Sequence, residues 1–507
     1  LRERLRRVCR QAGGSVGHIQ RRAQPIAHGE GPKPAAASQA VIFADASVEP
    51  VPTACYLRAM HRLVAVALPL LLALTAGCSA AVPTRPHVFL IVIDGLDPRH
   101  AVVDRLPTLL GASLADDRRV WRSQTSMPTV TNTNHVTLVT GVEPDAHGVT
   151  GNAYWDRHGG ADRAKLDDPA LIETETIFTV AARTHPELQT MAVLGKPKLG
   201  RLFSAVADRQ RAPHVLWDPD RDPTAPHDQR TGYAPDDAVM TALLGRLGDR
   251  PPDLVVANLP DVDRTSHADG PDSATTAAAV RRADAAIGRL LAELHRRGWW
   301  DDAVVVITGD HGFDSVGPTP KRPQPATAIG DALRAAGARA IAVAADGGVA
   351  HVYAQNRTAP ADTLTAAAHL ARSVAGVAEV FARVPVAGVP PLPTDWHLGH
   401  PRVGDLLLVA APGYQLVRTV NSDEAHLLGN HGSPRERSVP LIIVGGHPLV
   451  RALAANAETR HADIGASLFH WLGLDPPRQL DGQPVPAGSA GRHFRGAASD
   501  RGAVGLP

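Results

Sequence analysis

Beyond Cys78 the chain has no cysteine. Cys9, Cys55 and Cys78 are the only three, so a disulfide framework or a cysteine-rich zinc site is excluded for everything downstream. It also lacks a surplus of charge. Its 52 lysines and arginines face 51 aspartates and glutamates, which leaves no electrostatic case for nucleic acid as a partner. The apolar run at 63–76 is too short to span a bilayer comfortably. What is plentiful is histidine, with 24 residues. Most must be surface or packing residues, yet ample material remains for metal ligands. A 44% hydrophobic fraction over 507 residues is ordinary for a globular protein of one large domain or two smaller ones.

The run at 63–76 instead suits the apolar core of a signal peptide. Met60, His61 and Arg62 precede it and Gly77-Cys78-Ser79 follows. Small residues before a cysteine resemble a bacterial lipobox, which implies lipidation of Cys78 as the mature N-terminus; Thr75 departs from the leucine usual there. An ordinary secretory signal would equally send the protein across the membrane. The expectation is therefore an exported protein of the cell envelope, lipid-anchored on the periplasmic or extracellular side. Residues 1–59 are rich in Arg, Ala and Pro without periodicity and are expected to be an untranslated or disordered extension, with translation starting at Met60. A signal peptide at 60–78 and a linker at 79–85 would follow.

From 86 to about 475 apolar runs alternate with helical patterns. HVFLIVID (87–94), MAVLG (191–195), DLVVANLPD (253–261), AVVVITGDHG (303–312) and PLIIVGG (440–446) read as strands buried on both faces, as in a parallel sheet. The clearest helix is 273–297. This alternation predicts an α/β sandwich with a central, mostly parallel sheet. The Pro-rich passage and its continuation, 384–428, are expected to form a small inserted rim subdomain, and the Gly/Pro/Arg-rich tail 476–507 to be loosely ordered.

Ligands of such sheets bind beyond the C-terminal strand ends. Asp94 closes the first run. Asp261 and Asp263 follow the third, with His267 shortly after. Asp310 and His311 close the fourth, and His431 lies in GNHGS before 440–446. Singly, each has an ordinary explanation as a helix cap or a turn residue. Together, three aspartates and three histidines on one rim suit two divalent ions, with the oxygen and nitrogen donors favouring zinc. A pair of such ions can clamp a phosphoryl displacement and activate a threonine hydroxyl in TVTNTNHVTLVTG (129–141) without a histidine base. Two zinc ions would balance three aspartates and one alkoxide.

The order IDG, T-x-x-NH with VTG, HG-x-x-GN, D-x-x-x-H, GDHG and a late NHG resembles the type I phosphodiesterase/nucleotide pyrophosphatase family of the alkaline phosphatase superfamily, over roughly 86–475. The resemblance implies an alkaline-phosphatase-like three-layer sandwich and a nucleophile at Thr131. Asp94, Asp310 and His311 would share one zinc with the Thr131 oxygen, and Asp263, His267 and His431 would hold the other. Asn152 would hydrogen-bond a phosphoryl oxygen, helped by the first N–H groups of the helix after Thr131. Asn132 and Thr133 depart from the family's aromatic and proline, and Ser266 from its glycine. TNTNHVTLVTG, HGVTGN and GKPKLGRLF also resemble phosphonoacetate hydrolase, a relative that cleaves a carbon–phosphorus bond. There Lys196 and Lys198 match a pair that binds the substrate carboxylate; they could equally meet a second phosphate.

No sulfatase motif surrounds Thr131, and no arginine lies between Ser123 and Asp156 to meet a monoester dianion. The sequence thus favours hydrolysis of phosphodiester or nucleotide pyrophosphate bonds in a small molecule. Phosphonoacetate-type C–P hydrolysis is the alternative, and a non-catalytic surface lipoprotein the second alternative.

Overall fold

In the computed structural model the described residues are 85–159, 164–204, 213–319, 326–355, 360–454 and 458–487. Cys78, the expected signal at 60–78, the extension before it and residues 488–507 lie outside them.

Eight strands form the central sheet: β1 (His87–Ile93), β2 (Arg118–Gln124), β3 (Thr190–Leu194), β4 (Val215–Trp217), β5 (Leu254–Leu259), β6 (Ala303–Thr308), and, after a second sheet, β11 (Ser438–Val444) and β12 (Glu458–Arg460). Their order is β12-β2-β11-β6-β1-β5-β3-β4. β1 pairs in parallel with β5 and β6, and β3 in parallel with β4 and β5. The alternation along β1 shows why the run is apolar throughout. Val88, Leu90 and Val92 enter one core, Phe89, Ile91 and Ile93 the other, because successive side chains of a strand point to opposite faces.

Helices cover both faces. On the first lie α1 (Thr131–Thr140), α2 (Ile177–Thr184) and α8 (His461–Trp471), which contribute Val136, Phe178 and Leu468 to that core. On the second lie α4 (Asp236–Gly245) and α6 (Ala274–Arg296), which contribute Val239, Val280 and Ile287. α6 starts where the Ser273 hydroxyl accepts the Thr276 N–H, an N-cap of the usual kind. Two short helices, α3 (Pro197–Leu202) and α5 (Asp261–Asp269), stand on the rim.

The run at 440–446 is the exception to a common direction. β11 is antiparallel to both β6 and β2, which corrects its reading as one more parallel strand. The reversal has a consequence for chemistry. An antiparallel strand starts at the end where its neighbours finish, so a residue just before β11 meets residues just after β1, β5 and β6.

The second sheet is antiparallel, in the order β7-β8-β10-β9, from Ile341–Ala345 (β7), Val349–Ala354 (β8), Val377–Ala382 (β9) and Leu406–Ala410 (β10). Helix α7 (Pro360–Arg372) packs on it through Leu364, Ala368 and Ala371. Within 384–428 this layer includes β10, while β7 to β9 come from upstream of that passage. Residues 476–487, expected to be loose, are tied down. The Asp481 and Gly482 N–H groups donate to the Gly141 carbonyl, and the Val485 N–H donates to Ser467 Oγ.

Candidate metal centre and nucleophile

Five strands and two helices deliver the site to one rim. β1 ends one residue before Asp94, and β6 leads to Asp310 and His311. β5 leads into α5, whose first and second turns carry Asp263 and His267, four residues apart and so on one helix face. β3 ends just before Lys196, and His431 precedes β11. Thr131 is the first residue of α1, entered from Val130 in an extended conformation. All six expected ligands and Thr131 therefore come together.

Their geometry fits cation binding. His431 Nδ1 lies 2.8 Å from the Thr129 carbonyl, His267 Nδ1 2.9 Å from that of Gly429 and His311 Nδ1 3.1 Å from that of Gly312. Only a protonated nitrogen bonds a carbonyl, so each Nε2 is left as the ligand atom, the usual way a metal histidine is oriented. His267 and His431 Nε2 face each other at 3.2 Å, and Asp263 Oδ1 lies 3.4, 3.7 and 3.8 Å from the Nε2 atoms of His267, His431 and His311. His311 Nε2 is also 3.6 Å from Asp94 Oδ1 and from Asp310 Oδ2. Asp263 Oδ1, Asp310 Oδ2 and His311 Nε2 are buried without a hydrogen-bond partner. Buried polar atoms are rarely left so, and here they all point at common centres. Donor atoms of Asp263, His267 and His431 lie within 4.8 Å of one another, as do those of Asp94, Asp263 and His311.

Lys196 adds what sequence did not foresee. It is buried, and its Nζ donates to Asp94 Oδ1 at 2.7 Å, Asp263 Oδ2 at 2.8 Å and Thr131 Oγ1 at 3.2 Å. Burial alone would drive the proton off this amine, but Asp263 and Asp94 outweigh it and hold the ammonium well above the ordinary lysine range. Burial and the neighbouring Asp310 push the Asp94 carboxyl well up. Asp263 is held well below the carboxylate range: burial works against it, and Lys196 and His267 prevail. Three carboxylates around one ammonium leave an excess of negative charge that divalent cations would neutralise.

Asn152 and Lys198 sit at the start of α1. Asn152 Oδ1 accepts the Asn132 N–H and the Lys198 ammonium, each at 3.3 Å. Burial and then the charge of Lys196 bring Lys198 down to about 8. The cluster opens into a cavity of about 620 Å³, lined by Thr131, Asn152, Lys198, Tyr233, Asp263 and His431 among others. Asn132 is buried and donates its amide to the Leu166 carbonyl at 2.8 Å, so it offers no stacking platform.

Three supporting residues escaped sequence reading. His135 and Asn258 lie behind the carboxylates. Asp346, in the turn between β7 and β8, accepts the Asn152 N–H at 3.0 Å. The same turn presses on the ligand strand: the Gly348 N–H donates to the His431 carbonyl at 2.7 Å. Gly347, at φ +72°, leaves no room for a Cβ against Asn430. His135 at least stands inside the T-x-x-NH motif; nothing local marks Asp346.

Burial lowers His311, His100 and His351 to about 4 and His147 and His461 to about 3. Each is neutral in the fold and takes up a proton on unfolding below its ordinary value near 6.5. Their stabilisation is therefore complete above about pH 6.5 and lost as pH falls toward 4. Removing one of them isolates its share: in metal-free His351→Gln the drop in melting temperature between about pH 6.5 and 4 should be smaller than in wild type, and an unchanged drop would contradict the burial argument.

The sequence model of one family, type I phosphodiesterase / nucleotide pyrophosphatase, matches residues 88–434. The chain belongs to this family. Its members are metal-dependent hydrolases, and the clustered acids and histidines could hold such a metal. An uncharacterized pyrophosphatase/phosphodiesterase of Schizosaccharomyces pombe is 26% identical over 204 residues, so the match spans only 37% of this chain and 37% of that protein. Murine ectonucleotide pyrophosphatase/phosphodiesterase 5, solved in an inactive form with AMP, superposes with a TM-score of 0.61 at 18% identity, over 78% of this chain and 97% of that one. Phosphonoacetate hydrolase from Sinorhizobium meliloti 1021, solved with phosphonoformate, gives 0.54 at 20% identity, over 77% and 97%. At these identities the likeness concerns the alkaline-phosphatase-like fold.

Proposed function

We propose that the protein is an exported dizinc hydrolase of phosphodiester or nucleotide pyrophosphate bonds, with Thr131 as its nucleophile and Cys78 as its lipid anchor. The observation that carries this reading is the gathering of six ligand-type side chains around Thr131 at the mouth of a 620 Å³ cavity. Asp94, Asp310, His311 and the Thr131 oxygen would hold one ion, and Asp263, His267 and His431 the other. When bound, the two ions would supply Lewis-acid polarisation of the phosphoryl group and lower the pKa of the attacking hydroxyl.

The chain's own groups do the rest. Thr131 Oγ1 attacks phosphorus in line, a new P–O bond forms and the bond to the leaving oxygen breaks, so that the threonine carries the remaining phosphoryl ester as a covalent diester; the hydroxyl proton passes to solvent and the leaving oxygen takes one from water. Lys196, held as an ammonium beside Oγ1, favours loss of the hydroxyl proton. Asn152, the Asn132 N–H and Lys198 meet the phosphoryl oxygens, where charge grows in the transition state. Water then attacks phosphorus from the vacated side and frees the threonine.

Phosphonoacetate-type C–P cleavage is the second reading. It is favoured by Lys198, a cationic group lining the cavity and placed to meet a substrate carboxylate. Zinc-loaded protein assayed on bis-p-nitrophenyl phosphate, a dinucleotide, p-nitrophenyl phosphate and phosphonoacetate separates the readings. Turnover is expected to be fastest on the diesters. Phosphate release from phosphonoacetate alone would replace the first reading by the second, and no turnover with zinc bound would leave a binding protein.

A further inference from the structure

We propose that Asn258 and His135 form a buried brace that sets the affinity of one metal position, an inference that rests on the metal-centre reading above. Both residues are buried, at 0% and 1% exposure, and neither is counted among the ligands. Asn258 stands on β5 and His135 on the second turn of α1. Asn258 Nδ2 donates to Asp94 Oδ2 at 2.8 Å and lies 3.2 Å from His135 Nε2. His135 Nδ1 lies 2.9 Å from the Thr131 carbonyl and 3.4 Å from Asp310 Oδ2.

One assignment of protons satisfies the three hydrogen bonds and leaves the fourth contact a close approach of imidazole and carboxylate. An amide nitrogen has two hydrogens; one goes to Asp94 and the other to His135 Nε2, which must then accept. The ring proton is left on Nδ1, which donates to the Thr131 carbonyl and lies beside the Asp310 carboxylate. A continuous chain of hydrogen bonds therefore links Asp94 to the backbone of Thr131, with Asp310 Oδ2 3.4 Å from the same imidazole; these are three of the four residues assigned to one ion. This network leaves Asp94 Oδ1 turned inward toward Lys196 and His311. Donor atoms of Asp94, His135 and Asp310 lie within 4.8 Å of one another, but His135 spends its Nδ1 on the threonine carbonyl and acts as a positioning residue. The Asp263, His267 and His431 position has separate supports, the carbonyls of Gly429 and Thr129. Groups that orient metal ligands typically govern affinity about 10- to 100-fold.

The test is stepwise zinc binding by metal-free full chain, followed by competition with a chromogenic chelator. Asn258→Leu and His135→Phe are each expected to weaken one of the two ions by about 10- to 100-fold and the other by less than about 3-fold. His135→Asn, which keeps a donor near the Nδ1 position, should recover most of the loss. If Asn258→Leu does not fold, the comparison of His135→Phe with His135→Asn decides. Wild-type affinity at both positions in Asn258→Leu overturns the brace alone. Equal weakening of both ions, in step with a lower melting temperature of the metal-free protein, also overturns it, because that is general loosening. Wild-type protein that takes up no zinc would fail the metal reading itself, and the brace with it.

Discussion

Thr131→Ala is expected to lower turnover of bis-p-nitrophenyl phosphate by about 10⁴-fold or more, with zinc content retained. The size follows from the kind of group removed. Without Oγ1 the two-step route through a covalent threonine phosphodiester is closed, and direct attack by water has no oxygen fixed in line with phosphorus. The structural cost is small by comparison. Lys196 keeps its bonds to Asp94 and Asp263, and truncating one buried threonine costs about 1–2 kcal/mol. Thr131→Ser keeps the hydroxyl, loses only the methyl that fixes its rotamer, and should retain a measurable fraction of activity. Initial rates at equal zinc occupancy check both. An alanine variant within tenfold of wild type would move the nucleophile elsewhere.

Stripping the metal is expected to abolish turnover, and added zinc to restore it, whereas Asp263→Asn should lose on the order of 10³-fold without rescue. Asp263 is the hinge of the cluster. Its Oδ2 accepts from Lys196, and its Oδ1 faces the Nε2 atoms of His267, His431 and His311. An amide there removes a charge and leaves the Lys196 ammonium with one carboxylate fewer. Metal should also stabilise the fold, by about 2.7 kcal/mol per ion at a free concentration of 100 Kd, so the melting temperature of wild type should rise with zinc and that of Asp263→Asn, left with one intact position, should rise less. Chelator-resistant turnover at full rate would reject a metal mechanism. The decisive measurement pairs zinc analysis with rates on the same samples.

Much of the fold could be read from pattern. Unbroken β-branched runs such as HVFLIVI and AVVVIT were legible because a strand covered on both faces needs apolar residues at every position. The direction of β11 was not legible, since a buried antiparallel strand inside a parallel sheet has the same composition as its neighbours. The second sheet was seen only in part, because β7 and β8 are alanine-rich (IAVAA, VAHVYA) and lack the strong β-branched signal. Asp94, Asp263, His267, Asp310, His311 and His431 stood out because metal-ligand types fell at predicted strand ends. Lys196 was noticed for its motif, but its place between Asp94 and Asp263 was not readable from it.

Chain order and residue chemistry alone were enough for the α/β class, for the family resemblance and for naming the candidate ligands that the structure brings to one rim, because strand ends and short motifs are local; Thr131 as candidate nucleophile followed from the resemblance. The network around those residues required the tertiary structure. Lys196 meets Asp94 across 102 positions, the Gly95 N–H reaches Asp310 across 215, and Asn152 depends on Asp346 across 194. Contacts at such separations leave no periodic trace. Only packing β11 backwards between β2 and β6 brings the histidine before it to the acids that follow β1, β5 and β6, and only burial there turns those side chains into a charged, cation-seeking centre.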